Sequence, residues 1–178
     1  LSKDGKFIPN AEMTKGDFAI ALANIVSGGD NAFSGGRQVF TDVPQSHAAY
    51  NAIALLDAYG LIRFDGTEFA PDTPINGTDA IRMLVDMLGY REKAEVSGTG
   101  DSGYMNEAIS LKLLNGISNM SYSESILRET AAALISNAVK AEVLKIGKIN
   151  NDSAEYAKDG DTLLSVYRDI YEFKGRVN

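Results

Sequence analysis

The chain repeats itself, and this limits its possible folds more than any other feature. Asp4-Gly5-Lys6-Phe7-Ile8-Pro9 is echoed by Asp65-Gly66-Thr67-Glu68-Phe69-Ala70-Pro71, with Phe7 and Phe69, and Pro9 and Pro71, each 62 residues apart. The same offset pairs Met13 with Ile75, Asp17 with Asp79, Leu22 with Leu84 and Val26 with Leu88. A second echo links the middle of the chain to its last third. Ala52-Ile53-Ala54-Leu55 matches Ala108-Ile109-Ser110-Leu111 at an offset of 56, and Gly60-Leu61 matches Gly116-Ile117. The next segment matches at an offset of 51, with Ile75 against Ile126, Ala80 against Ala131 and Leu84 against Ile135. The third unit is therefore shorter between its helices and has lost the Phe-x-Pro piece.

Within the units the apolar spacing is helical. Phe18, Leu22, Ile25 and Val26 fall on one helix face, as do Ile81, Leu84, Val85 and Leu88. The pattern predicts helices near 15–27, 47–59 and 77–88, with Gly28 and Gly89 as helix-terminating glycines. Gly- and Ser-rich stretches at 27–36 and 97–103 read as loops between units. A polar stretch at 147–161 precedes a final helix near 162–173, whose Leu163, Val166, Tyr167 and Ile170 make one apolar stripe. The organisation read from this is a single domain over 1–178: a partial repeat at 1–36, full repeats at 37–96 and 97–146, and a C-terminal helix region at 147–178. Two helices cannot bury their apolar faces alone, whereas three stacked units can. The expected fold is mostly all-α, a pseudo-threefold bundle of helix-loop-helix repeats. The terminal helix is expected to complete repeat one.

Composition narrows the function. The chain of 178 residues has 44% hydrophobic residues, enough for a core without staples. It has no Cys, so no disulfide framework, thiolate metal site or Cys nucleophile is possible. His47 is the only His, which excludes a multi-histidine metal site. A net charge of −7 argues against general nucleic-acid binding, which draws on clustered Lys and Arg. No apolar run reaches the ~18–20 residues of a membrane span. No cofactor is implied. The first residues lack the apolar core of a signal peptide, and the chain opens on Leu1, so it reads as a piece of a longer protein.

The residues of the middle unit resemble the S-layer homology domain of bacterial cell-surface proteins. Phe40-Thr41-Asp42-Val43-Pro44 is similar to that family's opening Phe-x-Asp-Val, and His47-Ala48-Ala49-Tyr50-x-Ala52-Ile53 to its His-Trp-Ala-Tyr-x-Ala-Ile. Gly60-Leu61-Ile62 and the later Gly66-x-x-Phe69-x-Pro71 are similar to its Gly-Ile … Gly-x-Phe-x-Pro. The resemblance covers roughly 5–143. It implies a pseudo-trimeric helical domain that anchors a secreted protein noncovalently to secondary cell-wall polysaccharide, often one bearing pyruvate ketals. It also implies a bacterial cell-surface location and no enzymatic activity.

The family's binding signature, Ile-Thr-Arg-Ala-Glu, begins each second helix. Its counterparts are Met13-Thr14-Lys15-Gly16-Asp17, Ile75-Asn76-Gly77-Thr78-Asp79 and Ile126-Leu127-Arg128-Glu129-Thr130. The resemblance thus implies Arg128, Lys15, Glu129, Thr14, Asp17, Asn76, Gly77 and Asp79 as the glycan-contacting set. The middle copy has no basic residue, and Ala48 replaces the expected Trp.

Local physics gives part of this signature another role. Thr14-x-x-Asp17 and Asn76-x-x-Asp79 read as near capping boxes, which need no ligand. Lys15 and Arg128, however, sit at helix N-termini, where the macrodipole disfavours cations. A salt bridge from Glu12 to Lys15, or from Glu124 to Arg128, would offset the cost; so would an anionic sugar substituent held by free helix N–H groups and the guanidinium fork. Arg128 is the first ligand candidate and Lys15 the second.

His47 reads as a partly packed residue at a helix start, and Asp42 as a turn-shaping residue. Tyr50, Tyr59, Phe69 and Tyr90 read as core or as a sugar-stacking face. Gly100-Asp101-Ser102-Gly103 matches the nucleophile tetrapeptide of chymotrypsin-like proteases, but those enzymes need two antiparallel barrels and this pattern is helical. The expected function is noncovalent anchoring to cell-wall polysaccharide through grooves between units. The alternative is a degenerate structural or protein–protein module of the envelope that binds no glycan.

Overall fold

A computed structural model describes residues 6–28, 36–63, 66–118, 120–150 and 153–170. The described elements run α1 (Lys15–Ser27), α2 (Tyr50–Ala58), α3 (Gly77–Met87), α4 (Arg91–Ser97), α5 (Asp101–Ser110), α6 (Arg128–Ala138), β1 (Glu142–Asn150), β2 (Ser153–Thr162) and α7 (Leu163–Arg168). The protein is mostly helical, with one small two-stranded sheet.

Local signals account for the helix ends. Thr14 and Asn76 cap α1 and α3 by accepting the N–H of Asp17 (3.1 Å) and Asp79 (2.7 Å). The chain leaves α1 through Gly28 in the left-handed region, with its N–H returned to Asn24. Before α2, successive i→i+3 bonds from His47 to Pro44 and from Tyr50 to His47 replace the helical turn expected from residue 47.

The packing order follows the repeats. The first helix of each full unit lies on the second helix of the unit before it: α2 on α1, and α5 on α3. Phe18, Leu22, Ile53, Leu56, Phe69, Ile75, Ile81, Leu84, Leu88, Leu113 and Leu134 are almost wholly buried in one continuous core. Tyr50, Phe69 and Tyr90 belong to this core, whereas Tyr59 is largely exposed and meets Tyr167 edge-on at 6.5 Å.

Three expectations are corrected. First, Glu142–Asn150 and Ser153–Thr162 pair as antiparallel strands where a polar stretch was expected at 147–161. Glu142 pairs with Thr162, Ile146 with Tyr156 and Asn150 with Ser153. Second, α4 occupies residues read as the end of unit two, and Asp101–Gly103, read as linker, are the first turn of α5. Third, α7 covers Leu163–Arg168, shorter than the 162–173 expected; residues 171–173 lie outside the described residues.

α7 packs on α1 and on the hairpin, with Leu163 fully buried. The hairpin docks on the end of α3, where the Leu144 N–H donates to Leu88 O at 2.9 Å. Gly89 makes this approach possible: its φ is +84°, and a Cβ there would stand 2.6 Å from Leu144 O.

Candidate functional site

The three copies of the signature meet at one junction. Each supplies an extended segment followed by a helix N-terminus, and the three are joined cyclically by backbone hydrogen bonds. Met13 N–H donates to Ile126 O (3.0 Å), Ile126 N–H to Ile75 O (3.0 Å) and Ile75 N–H to Met13 O (2.8 Å). Two further rings repeat the step. Lys15, Gly77 and Arg128 N–H donate to Thr73, Glu124 and Ala11 O. Gly16, Thr78 and Glu129 N–H donate to Pro71, Tyr122 and Pro9 O. In each ring the three donors are related to one another by the offsets of 62 and 51, and so are the three acceptors.

The ion pairs follow the same circuit. Lys15 Nζ lies 2.9 Å from Asp79 Oδ2 of the second unit, and Arg128 donates a short hydrogen bond to Asp17 of the first. The third pair would join position 77 to position 130, which are Gly and Thr. Cation and acid are therefore missing from the same contact. The contact has also closed: a Cβ on Gly77 would lie 2.9 Å from Ser121 O and 3.1 Å from Tyr122 Cα.

Two readings of the signature change here. Lys15 and Arg128 are paired, but with acids of neighbouring units and not with Glu12 or Glu124. Glu12 accepts instead from the Ser125 hydroxyl. The helix N–H groups expected to receive an anion are also engaged. In α1 the first three are taken by Thr73 O, Pro71 O and the Thr14 hydroxyl; in α6 the first two are taken by Ala11 O and Pro9 O. The helix N-terminus thus serves inter-unit docking, and only side-chain donors remain for a ligand. Arg128 is 14% exposed and Lys15 19%, while Glu129 is exposed at the rim. Thr14, Asp17, Asn76 and Asp79 are half-buried, and Gly77 is buried.

Beside this junction, Asp42 holds the loop that leads into Pro71. Its two carboxylate oxygens accept the N–H of Phe69 (2.8 Å) and Ala70 (2.6 Å). Burial pushes the Asp42 carboxyl up, but these N–H groups, its own N–H and the charge of His47 hold it below the ordinary value. His47 Nδ1 accepts the Ala49 N–H (3.1 Å), which leaves Nε2–H to face Asp72 at 3.3 Å. His47 is thus a structural residue of the turn.

A second polar site lies between α3, α4 and α5, and the repeat analysis missed it. A cavity of about 380 Å³ is lined by Arg63, Arg82, Met83, Asp86, Arg91, Glu95 and Tyr104. Asp86 is almost fully buried and pairs with Arg91 at 2.8 Å. Burial raises the Asp86 carboxyl, only partly offset by Arg91 and the Tyr104 hydroxyl. Burial, with the nearby charges of Asp86 and Glu95, pushes the Tyr104 phenol up to about 12. Arg82 stacks over the Tyr104 ring at 4.9 Å. These residues fall outside the repeat pattern. The available signal was the spacing of Arg82, Asp86 and Arg91, which puts three charges along the far half of α3 and the start of α4.

Among the described residues no group of His, Asp and Glu is placed to hold a metal ion, and no helix is long and apolar enough to cross a membrane. Comparison with known proteins agrees with the motifs. The chain is 27% identical over 110 residues, 61% of its length, to a protein of Thermoanaerobacter kivui named "Cell surface protein". It spans only 14% of that protein. Residues 39–81 match the S-layer homology domain family. That stretch holds Asp42, His47, the loop to Pro71 and the cap of α3, so the similarity to the S-layer homology domain falls on the middle unit of this chain.

Proposed function

We propose that the chain anchors a bacterial surface protein noncovalently to secondary cell-wall polysaccharide, with Arg128 and Lys15 as the cationic contacts. The domain then sits at the cell surface as a binding module and performs no chemistry on its ligand. The observation that carries this reading is the cyclic junction, where two of three contacts keep a cation paired across units. Such a pair presents a guanidinium or ammonium at a rigid seam, where it can donate to an acidic glycan substituent, including a pyruvate ketal. We place the three units about a pseudo-threefold axis through Met13, Ile75 and Ile126, whose backbone bonds form the innermost ring. Thr14, Asp17, Asn76, Gly77, Asp79 and Glu129 shape the seam around the cations.

The test is retention of the pure chain on isolated cell-wall sacculi of the source organism. Arg128→Ala should lose most retention, and high salt should weaken it. Because Arg128 also ties two units together, Asp17→Asn is the informative partner. It frees the guanidinium, so retention should hold or rise if Arg128 meets the glycan. A fall equal to that of Arg128→Ala would assign the pair a purely structural role.

A second reading is a structural or protein–protein module of the envelope that binds no glycan. It is supported by the closed contact at Gly77 and by the engaged helix N–H groups. No retention on any matched wall preparation would select it.

A further inference from the structure

We propose that Asn115-Gly116 is a modification site, where the chain undergoes spontaneous deamidation to aspartate and isoaspartate. The sequence holds two Asn-Gly pairs, Asn76-Gly77 and Asn115-Gly116. In both, the residue after Asn has no side chain to hinder the approach of its backbone nitrogen to the Asn carboxamide. Their surroundings give the two pairs opposite fates.

At Asn76-Gly77 both reacting groups are engaged. Asn76 Oδ1 accepts the Asp79 N–H at 2.7 Å, and the Gly77 N–H donates to Glu124 O at 3.2 Å. Gly77 is also buried against the backbone of Ser121 and Tyr122. Asn115-Gly116 lies in the turns that follow α5, and both residues are exposed. Among the described residues, the Asn115 carboxamide and the Gly116 N–H make no hydrogen bond. Nothing stands within 4 Å of the place a Cβ would take on Gly116.

In the reaction the Gly116 nitrogen gives its proton to solvent and bonds to Asn115 Cγ. The Cγ–Nδ2 bond breaks, and the amide nitrogen takes up a proton and leaves as ammonia. Water then opens the cyclic imide at either carbonyl, which leaves an aspartyl or an isoaspartyl link and a new carboxylate. The net change consumes water and releases ammonia. The isoaspartyl link routes the backbone through Asn115 Cγ and detaches the original carbonyl from Gly116. That carbonyl accepts from Asn137 Nδ2 at 2.9 Å, as Leu113 O does at 2.8 Å. Asn137 belongs to α6, so the modified turn loses part of its hold on the helix that begins at Arg128.

The test holds the folded full chain in mildly alkaline buffer and reads tryptic digests of successive aliquots by mass spectrometry. The peptide of residues 113–128 should gain the mass difference between a carboxylic acid and an amide, and fragmentation should place the change at Asn115 and not at Asn119. The peptide of residues 64–82, which holds Asn76, should change at least about tenfold more slowly, since Asn76 reacts only after local opening. In denaturant both peptides should change at similar rates. Asn115→Gln keeps an exposed amide on a longer side chain that closes the ring poorly, and should abolish the change. The purified isoaspartyl form should have a lower thermal midpoint than the parent chain, whereas Asn115→Asp keeps the normal backbone and should not. Equal rates at Asn76 and Asn115 in the folded chain, no change at Asn115 where the denatured chain reacts, or a change at Asn119 instead would each overturn the proposal. An unchanged midpoint in the isoaspartyl form would overturn the link to α6.

Discussion

Asp42 shows how much a single carboxylate can organise. Ala70 adopts φ 57°, a left-handed conformation that costs a residue with a Cβ about 1–2 kcal/mol. The carboxylate of Asp42 holds that turn by its two bonds to Phe69 and Ala70 N–H, and Thr73 reinforces it through Ala70 O. Phe69 is thereby set under Phe40, their rings 5.2 Å apart, in the core. Asp42→Ala strands two partly buried donors and should cost about 1–3 kcal/mol in denaturant unfolding. The pH dependence has a definite sign. The folded carboxyl lies below its ordinary 3.8, so its stabilisation is present above that value and is lost as pH falls through the lower folded value. Stability measured from pH 5 downward should therefore fall less steeply in Asp42→Ala than in the parent chain. A parallel fall in both would refute the role. The turn at Asp42 was legible from Asp-Val-Pro; its grip on a loop 27 residues away was not, because that depends on where the chain returns.

At the scale of elements, the helix starts are docking surfaces first. The N–H groups that a lone helix leaves to solvent are here given to the extended segment of a neighbouring unit. This explains why the caps Thr14 and Asn76 could be read from sequence, while the availability of the N-termini for an anion could not. Capping is a contact over three residues; inter-unit docking spans more than forty. The same logic governs Gly77. Its missing side chain is filled by the backbone of Ser121 and Tyr122, so restoring the family's basic residue would not open a third seam. Gly77→Arg should destabilise the chain by about 1–3 kcal/mol through overpacking, read as a drop in thermal midpoint, with no gain in sacculus retention. A neutral or stabilising Gly77→Arg would show that the contact can open. The hairpin carries a similar lesson. β1 carries Val143, Leu144, Ile146 and Ile149 between lysines, but β2 contains Glu155, Lys158, Asp159 and Asp161, so its pairing leaves little local trace in the sequence.

For the molecule as a whole, Ile75 is the critical apolar position. It is fully buried, lies on the innermost ring and bonds through its backbone to both other units. Ile75→Ala should cost about 2–5 kcal/mol, and unfolding should remain one cooperative transition because all three units share that residue's neighbourhood. A separate early transition of one unit would show that the units fold independently. The internal repeats, the helices and their caps, and the S-layer homology signature of the middle unit follow from the sequence alone. They are written in spacings of three, four and about fifty to sixty residues, which need no knowledge of how units dock. Tertiary structure decided the rest. It paired Lys15 with Asp79 and Arg128 with Asp17, closed the seam at Gly77, and brought Arg63 to the buried Asp86. It also separated the repeat-related Phe7 and Phe69, leaving one 54% exposed and the other 1%. Residue type and spacing are equal in that pair, but only Phe69 has the Asp42 loop and Phe40 of a complete unit to lie beneath, and burial depends on what the rest of the chain brings over a side chain.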